Sequence, residues 1–208
     1  MELHSHNAVA VIAFARGAGY PRLTRALLAE LGELLAAVRR EGLFRGVVLA
    51  SNEDSFATGA DLDEIVMLEG VAAREFARLG QSLLDQIEGF PLPVVAAIRG
   101  YCLGGGLDLA LACHGRVATY DASFGHPGAS LGLLTGWGGT QRLPRLIGKA
   151  QALEILLTGE RIPATQALTL GLVDELVSSA DLIECAARRC TTLARARGGD
   201  LPDAAGTG

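Results

Sequence analysis

Ile98-Arg99-Gly100-Tyr101-Cys102-Leu103-Gly104-Gly105-Gly106, running directly into Leu107-Asp108-Leu109-Ala110-Leu111-Ala112, decides how this chain is read. Residues 94–98 have the short apolar pattern of a buried strand, and the run after the glycines has helical character. Three consecutive glycines at such a junction let backbone approach a ligand closely. They also leave amide N–H groups pointing outward at a helix start, which suits an oxyanion. Tight strand-to-helix turns use glycine for steric reasons as well, so the triple glycine alone leaves both readings open. A second segment, Phe56-Ala57-Thr58-Gly59-Ala60-Asp61-Leu62-Asp63-Glu64, follows another buried-strand pattern at 46–50 and also leads into a helical stretch. Two turns of this kind can supply one N–H each to the same carbonyl oxygen.

With 208 residues, 50% of them hydrophobic, the chain is long enough for one domain with a substantial core. We expect that domain over 1–197, with its core at 9–177, a last helix at 181–195 and a disordered tail at 198–208, rich in Gly, Asp, Ala and Pro. The formal net charge is −5, and Lys149 is the one lysine among 18 basic residues, so no basic stripe invites nucleic acid. Residues 1–7 lack the basic and apolar segments of a leader, and no apolar run reaches the ~18 residues of a membrane span. A soluble cytoplasmic protein is expected, with His4 and His6 in a disordered terminus. Cys102, Cys113, Cys185 and Cys190 form no CxxC pair and read as reduced thiols. No spacing of His, Cys, Asp and Glu suggests a metal site.

Residues 8–15 read as a buried strand broken by Gly17-Ala18-Gly19. Thr24 is placed to cap a helix over 25–40, where Leu27, Leu28, Leu31, Leu34, Leu35 and Val38 recur at helical spacing, and Gly42 stops it. A strand at 44–50, a loop at 52–60 and an amphipathic helix at 72–87 follow. Next come a strand at 94–98, a helix at 105–113 and a strand at 115–119. A glycine-rich loop at 132–139 precedes helices at 140–147, 150–158 and 164–170, and a final strand is expected at 171–177. Strands alternating with helices predict α/β layering with mostly parallel strands, which need crossovers.

These residues resemble the enoyl-CoA hydratase/isomerase (crotonase) superfamily over about 9–177. The pieces that carry the resemblance are the segment 56–64, like the family's F-x-A-G-A-D-L-x-E, and 93–110, like its P-V-I-A-A-V-x-G-x-x-x-G-G-G-x-E-L-A. Phe124-Gly125-His126-Pro127, Gly138-Gly139-Thr140-Gln141-Arg142, Gly148-Lys149-Ala150 and Leu157-Thr158-Gly159-Glu160-Arg161 add to them in the family's order. The resemblance implies a ClpP/crotonase-like spiral of ββα units, homotrimers or hexamers, and no tightly bound cofactor, coenzyme A entering as part of an acyl-CoA thioester substrate. It assigns the two oxyanion-hole amides to Ala60 and Gly105. It further places Ala60, Asp61 and Leu62 beside the adenine end of coenzyme A and Arg22 near the phosphates, although Thr24 stands where the family usually has Asn. Met67, Leu68, Leu133, Leu134 and Trp137 are candidate walls of the acyl pocket, with Trp137 either wall or packing.

Hydratases of this family work with two glutamates, and both positions differ here. The first is Asp108, a shorter carboxylate, and the second is Gly128, which carries no side chain. Hydration needs one group to activate water and another to deliver a proton. Asp108 is the one acid/base that matches a family position, its alternative being a first-turn carboxylate that interacts with the helix dipole. His126 suggests a dyad with Asp108, yet polar residues are ordinary in that slot. Ser123 and Ser130 lie in no G-x-S-x-G elbow and read as turn residues, no Ser stands at the helix start after the glycines, which disfavours a Clp-type serine peptidase, and Asp61 and Glu64 read as helix-opening residues. Relatives usually continue past the last strand with more helices than the single one expected here. The leading expectation is an enzyme acting on an acyl-CoA thioester through an enolate. Isomerisation, hydrolysis and decarboxylation stand beside hydration, and a non-catalytic acyl-CoA-binding protein is the alternative.

Overall fold

In a computed structural model the chain is described over residues 1–14, 20–52 and 54–197. The expected loop at 17–19, Ala15, Glu53 and the tail at 198–208 lie outside the described residues.

The main sheet contains β1 (Glu2–His6), β2 (Val9–Phe14), β3 (Val47–Ser51), β4 (Val94–Ile98), β6 (Gly115–Thr119) and β9 (Glu175–Val177), adjacent in that order. A smaller sheet joins β5 (Tyr101–Leu103), β7 (Ser123–Gly125) and β8 (Ile162–Pro163). All pairings are parallel except β1 with β2 and β7 with β8. Strands β2 and β4 are buried at every position, which is why they read as unbroken apolar runs rather than alternating ones.

Alternate residues of these strands nevertheless face different partners. Ala10, Ile12, Leu49, Ala96 and Ile98 join the larger core with α1 (Arg25–Glu41) and α3 (Gly70–Glu88), while Val9, Val11, Val48, Val95 and Ala97 pack with α8 (Leu182–Ala196). Helix α8 approaches closely because Cys190 lies over Gly46, where a Cβ would fall 2.6 Å from the Cys190 Cβ. Thr24 caps α1 by accepting from the Leu27 amide at 3.2 Å, and Leu28, Leu31, Leu35 and Val38 form its buried stripe.

Four further elements surround the two glycine turns: the short α2 (Leu62–Val66), α4 (Gly105–Ala112), a 3-10 turn (Pro127–Leu131) and α5 (Gly139–Ile147). Helices α6 (Lys149–Thr158) and α7 (Ala164–Thr169) complete the chain order before β9. The two turns are sewn together by backbone bonds. Phe56 donates to Arg99 O at 2.9 Å, Ala57 to Tyr101 O at 3.1 Å, and Leu103 to Ala57 O at 2.9 Å. Gly106 permits this contact, since a Cβ there would lie 2.3 Å from Ala57 O.

Two expectations change. Residues 2–6, expected disordered, form β1 because their backbone completes the ladder on β2; their exposed polar side chains hid the strand from hydropathy. His6 there contacts Glu184 at 2.7 Å. The last strand covers only 175–177, since 171–174 is a turn that docks Leu172 and Val173 in the core.

Arg116 on β6 is 6% exposed and donates to Leu172 O at 2.7 Å and Cys113 O at 2.9 Å, satisfying carbonyls at the end of α4 and in the turn before β9. Arg116→Met leaves those carbonyls without donors, so we expect a loss of about 2–4 kcal/mol. Urea unfolding checks this as a lower midpoint with an unchanged slope.

Candidate active site

Gly59 and Gly104 bring the two turns together, with φ of 110° and 52°, conformations that L side chains rarely adopt. A Cβ on Gly105 would stand 3.3 Å from the Ala60 nitrogen, and one on Gly59 would stand 3.5 Å from the Gly105 nitrogen, so the two peptide edges are adjacent. Neighbouring amides are spoken for: Leu23 donates to Gly59 O at 2.8 Å, Gly104 to Gly125 O at 2.9 Å and Asp108 to Gly104 O at 3.0 Å. The Ala60 and Gly105 amides take part in none of these bonds, and Gly105 opens α4, where first-turn N–H groups lack helical partners. Both residues line a cavity of about 500 Å³ whose other walls include Ile65, Leu68, Phe76, Leu133 and Trp137.

Trp137 is both wall and packing. Its ring is 4% exposed, meets Phe76 edge to face at 5.4 Å, and lies between two glycines. A Cβ would come within 2.3 Å of it at Gly80 and 2.5 Å at Gly105. Arg142 anchors the loop beneath, donating to Trp137 O at 3.0 Å while paired with Asp85 at 2.7 Å and Glu88 at 2.8 Å.

Asp108, 1% exposed, points from the first turn of α4 into the same cavity. Burial pushes its carboxyl up to about 7, opposed by the Thr135 hydroxyl, which donates to Oδ2, by the charge of Arg142 and by the Trp137 and Gly139 backbone. His126, 4% exposed, brings Nε2 to 3.4 Å from Asp108 Oδ1. Burial pushes the imidazole down to about 4, so at neutral pH this contact is not an ion pair. Gly139 closes the other side, where a Cβ would lie 2.1 Å from Oδ1.

The opposed shifts make a thermodynamic prediction. Between about pH 4 and pH 6.5 the folded state carries its proton on Asp108 and the unfolded state carries it on His126, so the two linkage contributions cancel. Asp108→Asn leaves only the histidine, whose folded pKa is depressed, so stability then rises with pH across that window. His126→Gln leaves only the raised carboxyl, so stability falls as pH rises. Each slope approaches about 1.4 kcal/mol per pH unit, and urea unfolding of both variants across the window checks the two signs.

The remaining expected residues divide. Arg22, Ala60, Asp61 and Leu62 fall together: Arg22 Nη1 lies 3.4 Å from Asp61 and 3.3 Å from Asp63, and Asp61 caps α2 by accepting from the Asp63 amide at 2.8 Å. Leu62, Leu68, Leu133 and Leu134 line the cavity. Met67 does not; it ends α2 facing outward, 80% exposed, and Ile65 takes the expected place. Gly128 lines the cavity with no functional group. Thr135, Phe76 and Gly80 were not singled out in the sequence, and Gly139 was noted only as part of a family motif and a glycine-rich loop. Of the first three, Gly80 alone carried a signal, as an isolated glycine inside a helical pattern. The four cysteines are buried thiols.

A family model for enoyl-CoA hydratase/isomerase matches residues 4–199. The chain belongs to that family. Among solved structures of enoyl-CoA hydratases, the one from Bacillus anthracis is 36% identical, with a TM-score of 0.87 over 93% of this chain and 76% of that one. DspI of Pseudomonas aeruginosa is 33% identical with a TM-score of 0.87, covering 93% of this chain and 80% of its own. The enoyl-CoA hydratase of Thermoplasma volcanium is 29% identical with a TM-score of 0.87, covering 96% and 83%. The parallel sheet with its layered helices is thus the crotonase fold of the enoyl-CoA hydratase/isomerase family. No helix among the described residues is long and apolar enough to cross a membrane.

Proposed function

We infer that this protein acts on an acyl-CoA thioester, holding the thioester oxygen between the Ala60 and Gly105 amides while a proton moves at the adjacent carbon. The observation that carries this reading is the adjacency of those two peptide edges at one cavity that also contains a buried carboxyl, Asp108. Preorganised N–H donors stabilise the charge that develops on a thioester oxygen as an enolate forms. In this reading the apolar walls accept the acyl chain, while Arg22, beside Asp61 and Asp63, and the 60–62 backbone take the nucleotide part of coenzyme A. Turnover of crotonyl-CoA and other enoyl-CoAs, with affinity for unreactive acyl-CoAs measured alongside, tests the reading. Affinity without any turnover supports an acyl-CoA-binding protein instead, a reading favoured by the bare Gly128; no affinity rejects both.

The absent side chain makes a second prediction. A Cβ on Gly128 would meet Leu133 O at 3.3 Å, tight yet open to a small shift. Gly128→Glu is therefore expected to raise crotonyl-CoA hydration by at least about tenfold if the missing group limits it. A steady-state hydration assay reads this, and no gain would assign the limit to the shape of the cavity.

Self-association as a trimer or hexamer is part of the same proposal. Val66, Met67, Leu153 and Leu157 present exposed apolar surface that assembly would cover.

A further inference from the structure

Two buried polar atoms in the cavity wall, Asp108 Oδ1 and His126 Nε2, meet no hydrogen-bond partner among the described residues, and each is the other's polar neighbour at 3.4 Å. Orphaned polar atoms in a protein interior call for a reason. The surroundings restrict what it can be. Asp108 Oδ2 is occupied by the Thr135 hydroxyl, and Gly139 leaves no room for a further side chain, since a Cβ there would lie 2.1 Å from Oδ1 and 3.1 Å from Nε2. A carboxylate enclosed in this way ionises only if donors face it.

We propose that His126 is a positioning residue for Asp108: as the neutral Nε2–H tautomer it turns a donor toward Oδ1, so that a carboxyl sealed in an apolar wall can serve as a base toward the acyl chain. The inference rests on the enolate reading given above. In the step itself, the Asp108 carboxylate takes the proton from the carbon next to the thioester. The C–H electron pair becomes the carbon–carbon π bond of the enolate, and the carbonyl π pair moves onto the oxygen facing Ala60 and Gly105. Asp108 is then a carboxylic acid, the imidazole stays neutral throughout, and return of the proton to the same carbon or a neighbouring one regenerates the carboxylate. At 3.4 Å the contact is longer than a settled hydrogen bond, and such contacts tighten when substrate fills a site.

The other groups facing Asp108 are Arg142 of α5, whose charge favours ionisation, the Trp137 and Gly139 backbone and the Thr135 hydroxyl, with the Cys102 thiol of β5 sensing the same field. None of these changes when His126 is replaced. Because the active form of Asp108 is ionised, proton abstraction rises with pH through its titration. Removing the donor makes ionisation harder, so the rising limb moves to higher pH.

The test follows exchange of the α-protons of butanoyl-CoA in D2O as a function of pH, together with 13C titration of the Asp108 carboxyl and 15N shifts of the His126 ring. His126→Phe is expected to move the limb and the 13C midpoint alkaline by about one pH unit, with exchange about fivefold slower near pH 7 and about tenfold slower well below it, a larger change than any in butanoyl-CoA affinity. His126→Gln, which keeps an N–H donor, is expected to restore exchange to within about threefold. An unmoved midpoint in His126→Phe, a Nδ1–H tautomer in the unmodified protein, or failure of Gln to restore the limb would each overturn the inference. If the unmodified protein binds butanoyl-CoA without exchanging its protons, the enolate reading fails. The 13C midpoints and the tautomer then still decide the coupling of His126 to Asp108.

Discussion

Asp108→Asn is expected to lower any turnover of an enoyl-CoA by about 10²–10⁴-fold while leaving acyl-CoA affinity within a factor of a few. Asn keeps the shape and can still accept from Thr135, so the cavity wall survives. What disappears is the ability to take up and return a proton. The magnitude follows from isolation: Gly128 offers no second carboxyl, and His126, its basicity suppressed by burial, is a poor substitute base at neutral pH. A large fall in kcat with little change in KM identifies a group needed in the transition state and not in the ground state. Equal activity in the variant would remove Asp108 from the chemistry and assign the proton transfer to another group.

Gly105→Ala carries the second large expectation, a fall of at least about 10²-fold in activity together with a stability loss of about 1–3 kcal/mol. The new methyl group would start 2.5 Å from the Trp137 ring and 3.3 Å from the Ala60 nitrogen, so it presses on the wall and enters the space between the two amides. Gly80→Ala separates these contributions. Its methyl would strike the same ring at 2.3 Å from the far side without approaching either amide. Comparable destabilisation of the two variants, with the far greater activity loss confined to Gly105→Ala, is the pattern that an oxyanion-binding pair produces. Thermal unfolding and a continuous enoyl-CoA assay on both variants read it.

The parts of this fold that announce themselves in the sequence are those whose side chains answer to one rule. Strand β4 and the α1 stripe of Leu28, Leu31, Leu35 and Val38 are set by burial on both faces or on one, and their patterns say so. Thr24 and Gly42 mark the ends of α1 through capping chemistry that is local to the chain. Strand β1 obeys no such rule. Its polar side chains are exposed, and only its backbone, paired with β2, makes it a strand.

The candidate site divides in the same way. Gly59, Gly104 and Gly105 were legible because close backbone approach demands glycine and because the segments around them follow a recognisable family pattern. Thr135 was not, since its hydrogen bond to Asp108 spans a loop whose path no periodicity describes. Met67 was misplaced for a related reason: a helix as short as α2 has too few turns for its composition to reveal which side faces the cavity. The opposed shifts of Asp108 and His126 arise from burial in three dimensions, which neither residue type discloses alone.

A crystal structure with a bound, unreactive acyl-CoA tests the central claim most directly. The account predicts the thioester oxygen within hydrogen-bond distance, about 2.7–3.1 Å, of both the Ala60 and the Gly105 nitrogens, with the acyl chain along Trp137 and its first carbon facing Asp108. A thioester oxygen that meets neither nitrogen, with the acyl chain lodged elsewhere, would contradict it.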